Sequence, residues 1–163
     1  MTADRDRAQV YAAELAGFDG TDLERVVGVA EVERIIVAVV TGEWWPGGDV
    51  QVRAARSDAR SSVTRCSLDE GAAASISIAA PQATVATAAH ELAHALIGAQ
   101  HGHGSRYRRA YLDVVGVMTN LDRVDGRGLL HVDQLAAAFA AAGLDVAERT
   151  WPAPPRPGGA IAL

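Results

Sequence analysis

Hydrophobic positions recur along this chain with two different periods, and the changes of period mark its elements. Residues 4–16 predict a short helix whose modest apolar side is Val10, Ala13, Leu15 and Ala16, ended by Gly17 or Gly20. Leu23 to Val29 fits either a strand or a helix start. Glu31 to Val40 carries Val32, Ile35, Ile36 and Val39 at helical spacing. Thr41 to Gly48, with Pro46 and three glycines, predicts a loop. Alternation then takes over: Val50, Val52 and Ala54 suggest a strand, Val63 to Leu68 a second, and Ser75 to Ala79 a third, bounded by Pro81.

The helical period returns over residues 82–99, an Ala-rich run without Gly or Pro until Gly98. Gly102 and Gly104 break the chain, and Ser105 can cap a helix to about Met118. Its apolar face is Tyr107, Ala110, Tyr111, Val114 and Met118, with Arg109 and Asp113 four apart on the polar side. Asn120 to Gly128 is turn-rich, and Val132 to Ala142 predicts a last helix ended by Gly143. Residues 1–150 read as a single domain, and 151–163, rich in Pro and Gly, as a flexible tail.

Composition narrows the class. The 163 residues are 49% apolar and 21% charged, enough to build one core and too apolar for wholesale disorder. The net charge is −5, and all 15 basic residues are arginine. An acidic chain carries no global footprint for nucleic acid, which is therefore not indicated as a partner. The single cysteine, Cys66, excludes an internal disulfide framework or a Cys-rich zinc module. No apolar run, Ile35 to Val40 included, approaches the roughly 20 residues that span a bilayer, so no membrane association is expected. The charged start, Asp4 to Arg7, leads into no apolar signal region, and the expected location is the cytoplasm. Nothing in the sequence sets an oligomeric state.

Four of the five histidines fall between positions 90 and 103, and two of them belong to His90-Glu91-Leu92-Ala93-His94, an HExxH motif on the predicted long helix. Residues i and i+4 share a helical face, so the two imidazoles can converge on one cation. Glu91, rotated by about 100°, borders the same place and is the candidate general base. Zinc favours imidazole nitrogen; with three protein ligands it keeps a position open, where the pKa of water falls to about 7. A third ligand must come from downstream. The metzincin pattern HExxHxxGxxH would need Gly at position 97 and His at 100, where this chain has Ile97 and Gln100.

The segment ATAAHELAHALIGAQHGHGSRYRRAYLDVV resembles SprT-like metallopeptidases of the zincin superfamily. Their pattern is HExxH, a short connection, then His-Gly and, after two more residues, an aromatic at the start of the next helix. His103-Gly104-Ser105-Arg106-Tyr107 follows it. Carried over by position, the resemblance implies zinc held by His90, His94 and His103, Glu91 as general base, and Tyr107 in a mainly packing role. It covers residues 75–118. The remainder is looser, and the whole chain looks most like a small bacterial group of HExxH metallohydrolases that begin with a charged segment and a Val-Tyr-Ala-Ala-type helix, here 5–14. Zinc-ribbon and basic DNA-binding elements are missing, so a crosslink-repair role is not carried over. His101 competes with His103, because a Gly-flanked loop can deliver either.

The expectation is an α+β, zincin-like fold, with a small mixed sheet packed on the HExxH helix and a following helix. The expected function is zinc-dependent hydrolysis of a peptide or protein substrate. The alternatives are a metal-dependent hydrolase acting on another bond, and a non-catalytic module locked by zinc. The strand at 75–79 is a candidate edge for an extended peptide. Arg106, Tyr107 and His101 are candidate oxyanion donors. His131 reads as a surface or capping residue, and Cys66 as a half-buried structural thiol. Trp44-Trp45 reads as core closure, with a cleft wall as the alternative. The arginines at 106, 108 and 109 read as a solvated helix face.

Overall fold

A computed structural model describes residues 4–66, 72–120 and 128–155. Among them five α-helices and one three-stranded sheet form a mixed α+β fold: α1 (Arg7–Gly17), α2 (Val29–Val40), β1 (Val50–Ala54), β2 (Val63–Cys66), β3 (Ala74–Ile78), α3 (Val85–Ile97), α4 (Ser105–Asn120) and α5 (Gly128–Ala141). No helix among the described residues is long and apolar enough to cross a membrane.

The sheet order is β1-β3-β2, with β3 parallel to β1 and antiparallel to β2. The pleat sends Ala74, Ile76 and Ile78 to one face, where they are buried, and Ser75 and Ser77 to the other. Thr64 and Cys66 pair with Ile76 and Ala74, so they share the inner face. Because β3 is central, both of its edges are occupied. The expectation that residues 75–79 offer a free edge is therefore corrected, and β2 is the edge strand beside α3.

Helix α3 runs through the core. Ala86, Ala88, Ala89, Leu92, Ala93, Ala95, Leu96 and Ile97 are all buried. Small side chains let β2, β3, α2 and α4 approach it from different sides. It begins three residues later than the apolar pattern predicts. Pro81 lies in a short 3-10 turn, Ala80–Gln82, and the extended Thr84 then caps the helix, its hydroxyl accepting from Thr87 N at 3.0 Å. Thr84 also bridges to Val26, in the stretch left open between strand and helix; Asp22–Glu24 there is a 3-10 turn. On α4 the predicted face is buried as a block: Tyr107, Ala110, Tyr111, Val114 and Met118.

Helix α1 buries Val10, Ala13 and Gly17, whereas Leu15 (64% exposed) and Ala16 face outward. The apolar face is therefore rotated from the predicted one. Gly17 explains the rotation. A Cβ there would stand 3.1 Å from the Leu135 Cα, so the glycine lets α1 lie directly against the α5 backbone.

Three sequence expectations change for a common reason, the chain that follows α5. Asp113 is not on a solvated face: it is 4% exposed and accepts from Arg149 (Nε 2.7 Å, Nη2 2.8 Å) and from Trp151 Nε1 (2.8 Å). Arg108 is likewise buried, donating to the Asp145 carbonyl, to Asp6 and to the His103 carbonyl. Trp151 and Pro152, at the start of the segment expected to be loose, are tied to Asp113 and to Trp44 Nε1, which donates to the Pro152 carbonyl at 2.9 Å. Residues 156–163 lie outside the described residues, as do 67 and 68 of the expected second strand and 121–127 of the turn-rich segment. His131, expected at the surface, is buried on α5, which is packed between α1 and α4.

Candidate metal centre

His90 and His94 project from one face of α3, and His103 reaches them from the turn before α4. One ring nitrogen from each lies within 4.8 Å of the others. His101 is not part of the cluster; it ends a short 3-10 turn and its Nε2 lies 3.3 Å from Gln100 Nε2. Of the two candidates for the third position, the structure brings in His103. The turn that presents it needs glycine: Gly102 has φ +47°, and a Cβ there would lie 3.2 Å from the Asp4 carboxylate carbon. Arg108 holds the same turn, its Nη1 donating to the His103 carbonyl at 2.8 Å and to Asp6 Oδ2 at 2.7 Å.

Each outer histidine is oriented by a carboxylate. Glu14 Oε1 lies 2.8 Å from His90 Nδ1, and Asp4 Oδ2 lies 2.5 Å from His103 Nδ1. An ionised carboxylate only accepts, so each Nδ1 carries the proton. Both Nε2 atoms then present lone pairs, and they face each other at 3.2 Å. Two lone pairs at that separation need a proton or a cation between them. Two nitrogens on a tetrahedral zinc, at about 2.0–2.1 Å from it, stand roughly 3.3 Å apart. Carboxylate-to-imidazole pairs of this kind fix the tautomer and raise ligand basicity at metal sites. The donor set therefore fits a metal ion that accepts imidazole nitrogen.

Electrostatics agree with neutral imidazoles. Burial, reinforced by His90, His103 and Arg7, lowers the His94 pKa to about 2. Burial also lowers that of His103, against the opposing pull of Asp4. Tyr107 floors the cluster: it is 0% exposed, and its ring centre lies 4.5 Å from that of His94 and 4.8 Å from that of His103. Its hydroxyl lies 3.5 Å from the His90 carbonyl. That is a packing position and not one open to substrate, so Tyr107 is removed as an oxyanion donor. Arg106 is removed too, since it donates to Thr150 and lies over Trp151.

Glu91 lies beside the cluster. Thr64 Oγ1 is 2.7 Å from its Oε2 and 3.0 Å from its carbonyl, so one hydroxyl proton serves both acceptors. Burial raises the Glu91 pKa, while the neighbouring His90 and the bonds from Thr64 pull it back. Two hollows, of about 390 and 240 Å³, meet along Arg7, Tyr11, Ser62, His90 and Glu91. The smaller one also reaches His94, His103 and Cys66, whose Sγ lies 3.9 Å from the His94 carbonyl. Neither is lined by Trp44 or Trp45. Those rings pack on the core near the 41–48 loop, so the cleft-wall alternative is corrected.

Sequence reasoning missed the groups that α1 contributes. Tyr11 stacks on His90 at 5.4 Å between ring centres and meets His103 edge-on at 5.3 Å. Arg7, Tyr11 and Glu14 stand at i, i+4 and i+7, which is one helical face, and Val10, Ala13 and Gly17 form another. A polar stripe as regular as the apolar one was the available signal. Comparison with protein-family profiles, with curated proteins and with solved structures finds no match.

Proposed function

We propose that this protein is a zinc-dependent hydrolase acting on peptide bonds, with His90, His94 and His103 as metal ligands and Glu91 as general base. On this reading the fold is zincin-like, in line with the resemblance to SprT-like metallopeptidases. The observation that carries the proposal is the pair of facing His90 and His103 Nε2 atoms, 3.2 Å apart, beside a carboxylate that opens onto a cleft. Bound zinc would supply a Lewis acid and bring the pKa of a water into the neutral range.

The chain's own residues do the rest. Glu91 takes the water's proton and returns it to the leaving nitrogen. Thr64 keeps one of its oxygens turned away, leaving the other for water. Glu14 and Asp4 hold two ligands in register, and Tyr107 closes the floor. A zinc site that only braces the fold has four protein ligands. Here three histidines converge among the described residues and a 240 Å³ hollow opens beside them, which favours the catalytic reading. The edge strand β2 runs along the cleft, giving an extended peptide a place to lie.

The test is zinc content and turnover of the wild type and Glu91→Gln, on a panel of unlabelled peptides and small amides. Glu91→Gln should keep about one zinc per chain and lose activity by about 10²–10⁴-fold. Full activity in the variant overturns the general-base role, and a wild type that takes up no zinc overturns the proposal. Cleavage of small amides alone would replace the peptide substrate with a smaller one.

A further inference from the structure

Hydrolysis of an amide needs a hydrogen-bond donor for the carbonyl oxygen as it becomes negative, and Arg106 and Tyr107 have been removed from that role. His101 lines neither hollow at the cluster. The wall across the cleft from Thr64 and Glu91 is α1, and it carries two donors. Tyr11 is 37% exposed, lies over His90 and His103, and lines both hollows. Arg7 lines both as well, with its guanidinium 5.5 Å from the centre of the Tyr11 ring. A hydrogen bond to the Tyr11 phenol is the main influence on Arg7, raising its pKa, and Asp4 is only a minor one.

We propose that Tyr11 is a catalytic residue, its hydroxyl donating to the substrate's carbonyl oxygen, with Arg7 as the cation that polarises the phenol and holds it over the cleft. This rests on the hydrolase reading above. Water adds to the carbonyl carbon and gives one proton to Glu91, while the C=O π electrons move onto the oxygen. The Tyr11 O–H donates a hydrogen bond to that oxygen and keeps its proton. When the C–N bond breaks, its electron pair leaves with the nitrogen, which takes the proton from Glu91, and the oxygen's electrons restore the C=O bond. A donor aimed at charge that exists only in the transition state raises kcat more than it lowers KM.

The geometry separates Tyr11 from the positioning residues on the same helix and just ahead of it. Glu14 and Asp4 act on imidazole nitrogens and should change metal affinity. Tyr11 meets His90 and His103 by ring contacts and Arg7 by its cation, so its hydroxyl is not committed to an imidazole nitrogen among the described residues. Tyr11→Phe keeps the stacked ring over His90 and removes one oxygen.

The experiment measures zinc per chain and the binding of acetohydroxamate to zinc-loaded wild type, Tyr11→Phe and Arg7→Gln. Acetohydroxamate is a small chelator of zinc whose carbonyl oxygen stands in for that of the substrate. Tyr11→Phe should hold as much zinc as the wild type and bind the probe about 10- to 100-fold more weakly. Arg7→Gln should weaken it by less, about 3- to 10-fold. On any substrate the wild type cleaves, Tyr11→Phe should lower kcat by about 100-fold with little change in KM. Equal probe affinity in wild type and Tyr11→Phe overturns the assignment and leaves the hydrolase reading standing. Loss of zinc in Tyr11→Phe would make Tyr11 a structural cover and also overturn it. A wild type that holds zinc but binds no acetohydroxamate has no open position, and both proposals fall.

Discussion

Helices α3 and α1 meet at the same three histidines, and they contribute in opposite ways. Helix α3 is buried over most of its length and carries two of the clustered histidines and Glu91, the proposed general base, within five residues. Helix α1 is largely exposed, packs by a narrow strip on α5, and brings Glu14 from 76 residues away. Asp4, just ahead of it, reaches His103 across 99 residues. Convergence of ligands needs only helical geometry, so α3 could be found from spacing alone. Orientation of those ligands needs carboxylates at the far sides of the rings, and no local spacing requires them to come from α3. On the proposed reading the chemistry is divided: α3 and the turn before α4 hold the metal-facing atoms, and α1 with the segment just ahead of it sets which ring atoms face the metal.

If that division is right, damage to α3 and damage to α1 should look different. The largest effect is expected from His94→Ala, which removes a metal-facing nitrogen. Zinc should no longer be retained through gel filtration, and circular dichroism should stay close to that of metal-free wild type. Retention of one tight zinc by this variant would remove His94 from the ligand set.

The second effect is graded. Glu14→Gln keeps the shape of the side chain but removes the charge that holds His90 Nδ1–H. Competition against a chelator should show zinc affinity reduced by about 10- to 100-fold, the loss typical of such outer partners. An unchanged affinity would mean that α1 only covers the centre.

The third concerns protons and applies to metal-free protein. Burial lowers the folded-state pKa of His94 to about 2, against an ordinary 6.5, and that of His103 in the same direction. A base with a lowered pKa binds fewer protons folded than unfolded. Its contribution to stability is therefore complete above about pH 6.5 and is lost as pH falls toward the folded value. Glu91 has the opposite sign: its raised pKa lets the folded state take up a proton first, so an offset to part of the loss builds as pH falls toward its ordinary 4.5 and is complete below it. Urea unfolding between pH 6.5 and 4.5 should show wild type losing up to about 1.4 kcal/mol per pH unit more than His94→Ala. Parallel curves would show that His94 is not desolvated as the structure has it.

The smallest effect tests the seat of α1. Gly17→Ala places a methyl 3.1 Å from the Leu135 Cα, and relief requires α1 to move from α5. Better helix propensity recovers part of the cost, leaving a net loss of about 1 kcal/mol. Zinc affinity should fall with it, because the same shift moves Glu14. Stability lost with zinc affinity unchanged would uncouple the seat of α1 from the centre.

Much of the frame was legible. The three strand segments, the helices on either side of Gly102 and the HExxH residues follow from period-2 and period-3.6 patterning together with a few glycines and caps. These are local properties, determined by backbone geometry and by which side chains avoid water, and the sequence displays them directly. Tertiary structure decided the rest. It put β3 between β1 and β2, took Asp113 and Arg108 out of solvent by folding residues 144–152 back over α4, and selected His103 over His101. It also turned the polar face of α1 onto the centre. Each of these depends on which distant surfaces bury one another, and an exposed-looking Asp4, Tyr11 or Glu14 has the same local sequence whether it meets water or an imidazole. The sequence by itself determined that a helix would present two histidines and a glutamate together; only the packing of the chain decided what would stand behind the histidines and across from the glutamate, because desolvation and long-range pairing are properties of the assembled fold.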